Sequence, residues 1–298
     1  MKKIYLFFSI IYCFNMSVRA ELINSGQTFL QVPTSAQTAA TMTVFSQSAQ
    51  QPLTIFENPV GIRTTTTHFA LAHHFWFSDV SIDAFAFALP LRKSSIGFGL
   101  NYVRIPGVEI RDYPTDEPLS NVEPQYIAAA AAYVWSPKPS LALGITTKYL
   151  FEHLYTYTDH GLALDIAARL QLPTALDLSV QLSNIGALQT SNEENALPAT
   201  LTIGIVRPQL FEGNGLNAAV GLNLGSNLVS EKTFAEAGAE INYRELLYLR
   251  GGFAHIGSTN KESLGFGINI NRFGFDYAYL FMPEGLGNPQ IVTIDYRL

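Results

Sequence analysis

The fold is easiest to read from Leu264–Phe281, whose sequence is LGFGININRFGFDYAYLF. Large apolar side chains occupy every second position before and after Asn271-Arg272, namely Leu264, Phe266, Ile268, Ile270, Phe273, Phe275, Tyr277, Tyr279 and Phe281. The positions between them are mainly Gly, Asn, Asp and Ala. Because successive side chains of a strand point to opposite faces, the pattern predicts two antiparallel strands, each with one apolar face and one small or polar face.

The same alternation recurs from about residue 66 to the end of the chain. It predicts strands near 66–77, 80–90, 95–105, 126–136, 140–151, 161–171, 175–185, 199–208, 215–226, 234–243, 246–256, 262–271, 273–282 and 289–298. An even number of strands of roughly ten residues is typical of bacterial membrane barrels. We therefore predict an all-β fold in which residues 64–298 form a transmembrane antiparallel β-barrel of about 14 strands.

The connections support this interpretation because short turns alternate with longer loops, as in outer-membrane barrels. The predicted short turns are 91–94, 136–139, 172–174, 244–245 and 271–272, with a longer exception at 208–214. The predicted outer loops are 106–125, 152–160, 186–198, 227–233, 257–261 and 283–288. These assignments hold if the N-terminus is periplasmic, and the first outer connection, Ser78-Asp79, is unexpectedly short for an outer loop.

Composition favours a surface that contacts lipid. Charged residues make up 14% of the 298 residues, whereas soluble domains average about 25%. After the N-terminal segment, no uninterrupted apolar run reaches the roughly 18 residues that a spanning helix needs. The net charge of -6 argues against nucleic acid as a partner.

The N-terminus has the pattern of a signal peptide. Lys2 and Lys3 precede the apolar run Ile4–Phe14, and Val18-Arg19-Ala20 resembles a cleavage site. We predict a signal peptide over 1–20 and export to the outer membrane. Cys13 is the only cysteine, so the exported chain would contain no disulfide and no thiol nucleophile.

Residues 21–63 differ from the rest of the chain because they are rich in Ser, Thr, Gln and Ala and lack sustained alternation. A barrel of this strand number is wider than an eight-stranded barrel, whose own side chains fill it. We therefore predict that 21–63 is a plug or a periplasmic segment.

Several short motifs resemble the PorV/PorQ family of outer-membrane barrels, which are relatives of the long-chain fatty-acid transporter fold. They are Glu57–Ile62 (ENPVGI), Ser183–Gly186 (SNIG), Ala237–Tyr243 (AGAEINY), Leu249–Phe253 (LRGGF) and Leu264–Ile268 (LGFGI). The resemblance implies a fourteen-stranded barrel and a role as a shuttle or attachment component of type IX secretion.

Charged residues on the predicted inward face form the candidate site. One group comprises Lys148, Asp165, Arg169 and Asp177, together with Gln181, and a second comprises Glu236, Glu240, Arg250 and Asp276. The favoured interpretation is a charge-paired network that stiffens the wall or docks the plug through Glu57, Asn58 and Pro59. The alternative is a pathway for a solute.

Catalysis, a metal site and a cofactor are not expected. His73 and His74 are adjacent on a predicted strand, so their side chains point to opposite faces and cannot share a metal without a bulge. Asp159-His160 lacks a serine marked as a nucleophile. We predict a protein that is not an enzyme.

Two functions are the leading hypotheses, and a purely structural, porin-like wall also remains open. The first is a secretion or envelope-assembly component whose outer loops, mainly 106–125 and 186–198, bind a secretion-system or cargo protein. The second is an outer-membrane transporter for long-chain fatty acids or other hydrophobic small molecules, which requires a hydrophobic ligand and an opening in the wall. Pro90, Pro106 and Pro208 fall at predicted strand ends, so no strand interior is visibly broken, and this favours secretion. Both functions require outer-membrane lipid.

Overall fold

The computed structural model describes residues 27–298 except 112, 114–116, 190–193 and 284–286. The predicted signal peptide and residues 21–26 lie outside this range. The described strands are β1 (His68–Phe75), β2 (Ser81–Pro90), β3 (Ser94–Arg104), β4 (Val108–Ile110), β5 (Ser120–Val122), β6 (Gln125–Lys138), β7 (Leu141–Leu154), β8 (Tyr157–Gln171), β9 (Asp177–Gln189), β10 (Glu194–Ala196), β11 (Thr200–Gly213), β12 (Leu216–Asn227), β13 (Thr233–Tyr243), β14 (Leu247–Ile256), β15 (Thr259–Ile270), β16 (Phe273–Phe281) and β17 (Gln290–Arg297).

Fourteen of the described strands form a closed antiparallel barrel, as the sequence predicts. Each barrel strand pairs with its neighbours in chain order, and β1 closes the sheet by pairing with β17 from His68↔Arg297 to Phe75↔Gln290. The remaining strands belong to loops, because β4 and β5 form a separate hairpin and β10 extends the edge of β9. Closure leaves the wall without an unpaired edge.

The barrel has a turn end and a loop end. We call the end that carries the turns 91–93, 139–140, 172–176, 214–215, 244–246 and 271–272 the turn end, and the opposite end the loop end. The prediction of a long connection at 208–214 was wrong. β11 continues to Gly213 through a bulge at Pro208–Leu210, and Asn214-Gly215, both with positive φ, make a two-residue turn.

Two predicted outer loops are also shorter than expected. The β7–β8 connection is only 155–156 and the β14–β15 connection only 257–258. In both cases the strands extend into the segment that the sequence assigned to the loop, because the hairpin continues its backbone ladder beyond the apolar stretch.

The two faces of the wall differ as the alternation predicts. Large apolar side chains such as Leu71, Leu222 and Leu264 are more than half exposed on the outside. The inward positions of β1, β2 and β6 are mainly alanines, among them Ala70, Ala86 and Ala128, and these are buried. The outer face is therefore suited to lipid, and the inner face leaves room for something else.

Residues 27–63 fill this room. The segment forms the 3-10 turns Thr28–Gln31, Ser46–Ser48, Pro52–Phe56 and Pro59–Ile62 and the short α-helix Ala36–Ala39; a further 3-10 turn, Phe77–Asp79, lies between β1 and β2. We call residues 27–63 the plug. Its apolar side chains, chiefly Leu53, Ile55, Phe56, Val60 and Ile62, pack against the alanines of the wall. No described helix has both the length and the apolar character to cross a membrane.

Inward glycines allow the plug backbone to approach the wall. A Cβ added to Gly238 would lie 2.8 Å from the carbonyl oxygen of Thr41, and one added to Gly252 would lie 2.9 Å from the backbone nitrogen of Met42. The neighbouring Gly251 faces outward, and its Cβ would meet nothing closer than 3.6 Å. These contacts explain why small residues occupy the inward positions opposite the plug.

This difference predicts that Gly252→Ala destabilises the protein, whereas Gly251→Ala does not. Overpacking against the plug backbone should lower the free energy of unfolding by about 1–3 kcal/mol. Urea unfolding of the purified barrel, followed by the shift of the folded band in unheated gels, measures both variants. Equal stability of the two variants would contradict a close contact between the plug and β14.

Candidate functional site

The first predicted charged group separates into two ion pairs. Lys148 and Asp165, on β7 and β8, are completely buried, and the ammonium lies 2.7 Å from the carboxylate. The same ammonium donates to the carbonyl oxygen of Phe56 at 3.0 Å and to the Asn184 side-chain oxygen at 2.8 Å. Lys148 therefore joins the wall to the plug while its charge is compensated by Asp165.

The second pair of this group lies closer to the turn end. Arg169 and Asp177, on β8 and β9, are 2.5 Å apart, and Asp177 is completely buried. Gln181, two inward positions further along β9, donates to the backbone carbonyl of Glu57. The wall therefore contacts the plug through Lys148 and Gln181, whereas Arg169 pairs with the wall itself.

The second predicted group also separates. Arg250 on β14 lies 2.7 Å from Glu240 on β13 and 2.5 Å from Asp276 on β16. The contact with Asp276 passes over β15 at Gly267, where a Cβ would lie 2.8 Å from the guanidinium. A larger residue at that position would block the pair.

Glu236 lies on the same strand as Glu240, β13, but closer to the loop end, and its environment is different. Its carboxylate accepts hydrogen bonds from the plug hydroxyl of Thr43 at 3.1 Å and from the Asn223 amide at 3.0 Å. Glu236 is thus a wall residue that holds the plug, and it lies apart from the Arg250 cluster to which sequence reasoning assigned it.

The predicted plug contacts have different environments. Glu57 is half-buried in the plug and accepts from the backbone of Thr34 at 2.6 Å and from the Thr38 hydroxyl at 2.7 Å. Burial raises the pKa of the Glu57 carboxyl to about 7, against the opposing effect of these hydrogen bonds. Asn58 accepts from Val60 and caps its own turn at 3.2 Å. Pro59 packs on the wall, where a Cβ at Gly144 would lie 2.8 Å from its ring.

A cavity of about 260 Å³ separates the plug from β9, β11, β12 and β13. The wall side is mainly polar, whereas the plug side carries both apolar and polar side chains. Wall residues in the lining include Ser179, Gln181, Ser183, Thr202, Asn223 and Glu236; the apolar plug residues are Leu30, Val32, Pro33, Val44 and Phe56, and the polar ones are Gln31, Thr43, Ser46, Gln47, Glu57 and Asn58. The lining continues to the exposed Ser230 and Lys232, so the cavity is reached from the loop end.

Three buried polar atoms on this cavity lack partners among the described residues. Gln47 is only 2% exposed, and neither its side-chain nitrogen nor its side-chain oxygen forms a hydrogen bond with a described residue. Oε2 of Glu57 also forms none. An unsatisfied buried polar group costs about 1–3 kcal/mol. The cavity is therefore prepared for molecules that form hydrogen bonds, whether water or a ligand.

A bulge in β9 was not foreseen from the sequence. Ser183 and Asn184 together face Asp165, so the ladder between β8 and β9 shifts by one residue. Asn184 has a positive φ of 55°, and its N–H donates to the Asp165 carboxylate at 2.7 Å instead of to a neighbouring strand. The expectation that no strand interior is visibly broken relied on the positions of prolines, and this bulge, which contains none, lies within a strand that stays paired on both sides of it. The tolerance of asparagine for positive φ is the signal that could have found it.

The histidines do not assemble a metal site. His68 pairs with Asp295 at 2.7 Å inside the barrel, and His73 pairs with Asp83 at 2.6 Å on its outer face. His74 points inward and contacts the carbonyl oxygen of Thr34 at 3.1 Å. Among the described residues, no three His, Cys, Asp or Glu side chains are grouped so that they could bind a metal.

Solved structures resemble this chain in fold. The P. putida toluene transporter TodX superposes with a TM-score of 0.61 at 10% identity and covers 83% of this chain and 94% of its own. The monoaromatic hydrocarbon channel CymD gives 0.56 at 11% identity, with 90% and 97% covered. A Pseudomonas aeruginosa FadL homologue gives 0.55 at 11% identity, with 89% and 98% covered.

This chain has the fold of those outer-membrane barrels. No family model matches the sequence, and no curated protein matches it. At 10–11% identity the likeness concerns the fold, including the fourteen-stranded wall. It agrees with the predicted relation to the fatty-acid transporter fold, whereas the PorV/PorQ assignment stays a prediction.

The Lys148 contacts predict a large effect of a single substitution. Lys148→Met removes the ammonium but keeps most of the volume, so Asp165 becomes an uncompensated buried charge. The free energy of unfolding should fall by about 3–5 kcal/mol. Arg104→Met is the control, because Arg104 and Glu123 are half exposed and 3.8 Å apart, and such pairs contribute about 1 kcal/mol or less. Similar urea midpoints for the two variants would contradict a structural role for Lys148.

The Glu57 environment predicts a pH dependence of plug stability. Its pKa is raised from 4.5 to about 7 in the folded protein, so folding favours the neutral carboxyl. The stabilisation is complete below about pH 4.5 and is lost as the pH rises through about 7, with an amplitude on the order of 3 kcal/mol. As the pH rises from about 4.5 to about 7, the urea midpoint of unfolding should fall for the natural protein and should change less for Glu57→Gln. Glu212→Gln, at an exposed position, should behave like the natural protein, and an unchanged slope in Glu57→Gln would refute the idea.

Proposed function

We propose that this protein is an outer-membrane channel that admits small apolar or amphipathic molecules from the outside, with the plug regulating passage. The observation that carries the proposal is the cavity between plug and wall, which extends to exposed residues at the loop end and includes apolar plug side chains such as Leu30, Val32 and Phe56 in its lining. A secretion shuttle needs no such cavity. The outer membrane is the proposed location because the wall presents large apolar side chains all round the barrel.

The dimensions of the cavity suit a small ligand. A dry cavity of about 150 Å³ is large enough for benzene, and this one measures about 260 Å³. The toluene transporter and the monoaromatic hydrocarbon channel that share the fold carry compounds of that size, which supports a similar range of ligands here. Passage from the cavity to the turn end requires the plug to move, because the plug turns Pro52–Phe56 and Pro59–Ile62 pack against the wall inside the lumen.

The plug is attached in a way that is compatible with movement. On one side, the charged Lys148 of β7 donates a buried hydrogen bond to the Phe56 carbonyl, and Gln181 of β9 donates to the Glu57 carbonyl. On the opposite wall, neutral buried hydrogen bonds of 2.9 Å join Ala36 to Thr293 and Ala40 to Ser263, beside apolar packing of the helix Ala36–Ala39, and neutral hydrogen bonds are weaker than those of charged groups. We therefore expect the part of the plug beside β15 and β17 to yield before the part beside β7 and β9.

A bulky side chain in the cavity tests the function. Thr202 lines the cavity, and its neighbour Ile203 is exposed on the outer face of the same strand. In cells that depend on this protein for uptake, Thr202→Trp should reduce the uptake of radiolabelled toluene severalfold, because the indole would occupy the cavity. Ile203→Trp should leave uptake unchanged. Equal uptake in both variants, with both folded, would reject a route through this cavity.

A second candidate is the PorV/PorQ-like role in type IX secretion or envelope assembly, with a cargo or secretion-system protein as partner. The specific observation in its favour is the β4–β5 hairpin at the loop end, beside which Leu119 is 65% exposed and Tyr113 is 78% exposed. Exposed apolar side chains on a loop are typical of a protein-binding surface. This role requires that a photocrosslinker at Leu119 capture one discrete protein in intact cells, whereas the same probe at Tyr155 does not.

A further inference from the structure

The polar wall of the cavity comes from the inward positions of three consecutive strands in the sheet. Ser179, Gln181 and Ser183 alternate along β9 with outward apolar residues, Thr202 lies on β11, and Asn223 and Asn227 lie on β12. Gly204 on β11 lies between Ser179 on β9 and Asn223 on β12. A Cβ at Gly204 would lie 2.7 Å from the Ser179 hydroxyl and 2.6 Å from the Asn223 amide oxygen, so the absence of a side chain lets these two groups approach each other. The result is a continuous surface of hydroxyl and amide groups opposite a plug face that has both apolar and polar side chains.

The unpartnered atoms have the chemistry to bind one hydroxyl group. A hydroxyl donates one hydrogen bond and accepts two. Either the side-chain oxygen of Gln47 or Oε2 of Glu57 can accept its single hydrogen bond, and the Gln47 amide nitrogen can donate to its oxygen. All three atoms are buried and belong to plug residues that line the cavity.

The charges in the cavity disfavour an anionic ligand at this depth. Glu57 and Glu236 both line it, and no arginine does. Its two cations, Lys232 and Lys261, lie on the side of the loop end, where Lys232 is exposed and Lys261 is half-buried. A carboxylate that reached Gln47 would therefore approach two acidic side chains, whereas an uncharged head group would not be repelled.

We propose that this cavity binds uncharged hydroxylated amphiphiles, such as medium-chain alcohols or phenols, with the hydroxyl at Gln47 and the hydrocarbon against Leu30, Val32 and Phe56, and that it discriminates against carboxylates. The inference rests on the proposed function, since it names the ligand class of the proposed channel. It assigns ligand selection to the plug, which supplies both the hydroxyl site and the apolar surface.

Equilibrium dialysis of the full-length protein in lipid nanodiscs tests this inference with 1-octanol and octanoate, which have the same chain length and differ only at the head. Protein-free nanodiscs correct for partitioning into lipid. At about pH 8, where a free carboxylic acid is ionised, octanol should bind saturably at one site per chain. Octanoate should bind at least about tenfold more weakly.

Variants locate the head group. Gln47→Leu keeps the side-chain volume and removes the hydrogen-bonding atoms, so octanol affinity should fall about tenfold. Gln37→Leu removes an amide from a plug residue that does not line the cavity, and its octanol affinity should remain unchanged. The double variant Glu57→Gln, Glu236→Gln should narrow the difference between octanol and octanoate. Migration in unheated gels establishes that each variant is folded.

The outcomes separate the inference from the function. Preference for octanol that depends on Gln47 supports the inference. Equal or tighter binding of octanoate, an unchanged affinity in folded Gln47→Leu, or no saturable binding of octanol overturns it, the last result indicating a cavity that holds water only. Toluene uptake and its loss in Thr202→Trp are measured independently, so the channel function can stand when the hydroxyl site fails.

Discussion

Lipid offers no hydrogen-bond partner, so each peptide group in a membrane-facing wall must be paired within that wall. The pairing of β1 with β17 meets this requirement by closing fourteen strands into one sheet. Closure at this strand number creates a lumen that the wall's own side chains cannot fill. The N-terminal segment fills it, and most features of the interior follow from that packing.

The plug faces three stretches of the inner wall that differ in their side chains. Beside β1, β2, β3 and β6 the inward residues are Ala and Gly, and the apolar side chains of the plug form a core with them. Beside β7 to β9 the plug meets buried charge instead, and Lys148 can bind the Phe56 carbonyl only because Asp165 compensates it. Beside β11 to β13 the contact is incomplete, and this incompleteness is the cavity.

The amphipathic character of the cavity also explains why fold and function have to be argued separately. Barrels of the same architecture include hydrocarbon channels, yet the polar groups that line the cavity here include amides, hydroxyls and two carboxyls from the plug and one side of the wall. A fold positions such groups, whereas their chemistry depends on a few side chains. Gln47 and Glu57 are therefore more informative about the ligand than the barrel around them.

Local pattern was sufficient for the wall: all fourteen barrel strands lie within a few residues of their predicted positions, because the alternation of side chains is a property of each strand alone. The same pattern identified Lys148, Arg250 and Asp276 as inward but could not say which charges meet. Partners depend on register and on what lies between strands, as where Arg250 reaches Asp276 over Gly267. Only the folded chain decides the path of the plug, and with it the cavity and the environment of Gln47, because residues 27–63 have no periodicity and take their conformation from the lumen that encloses them.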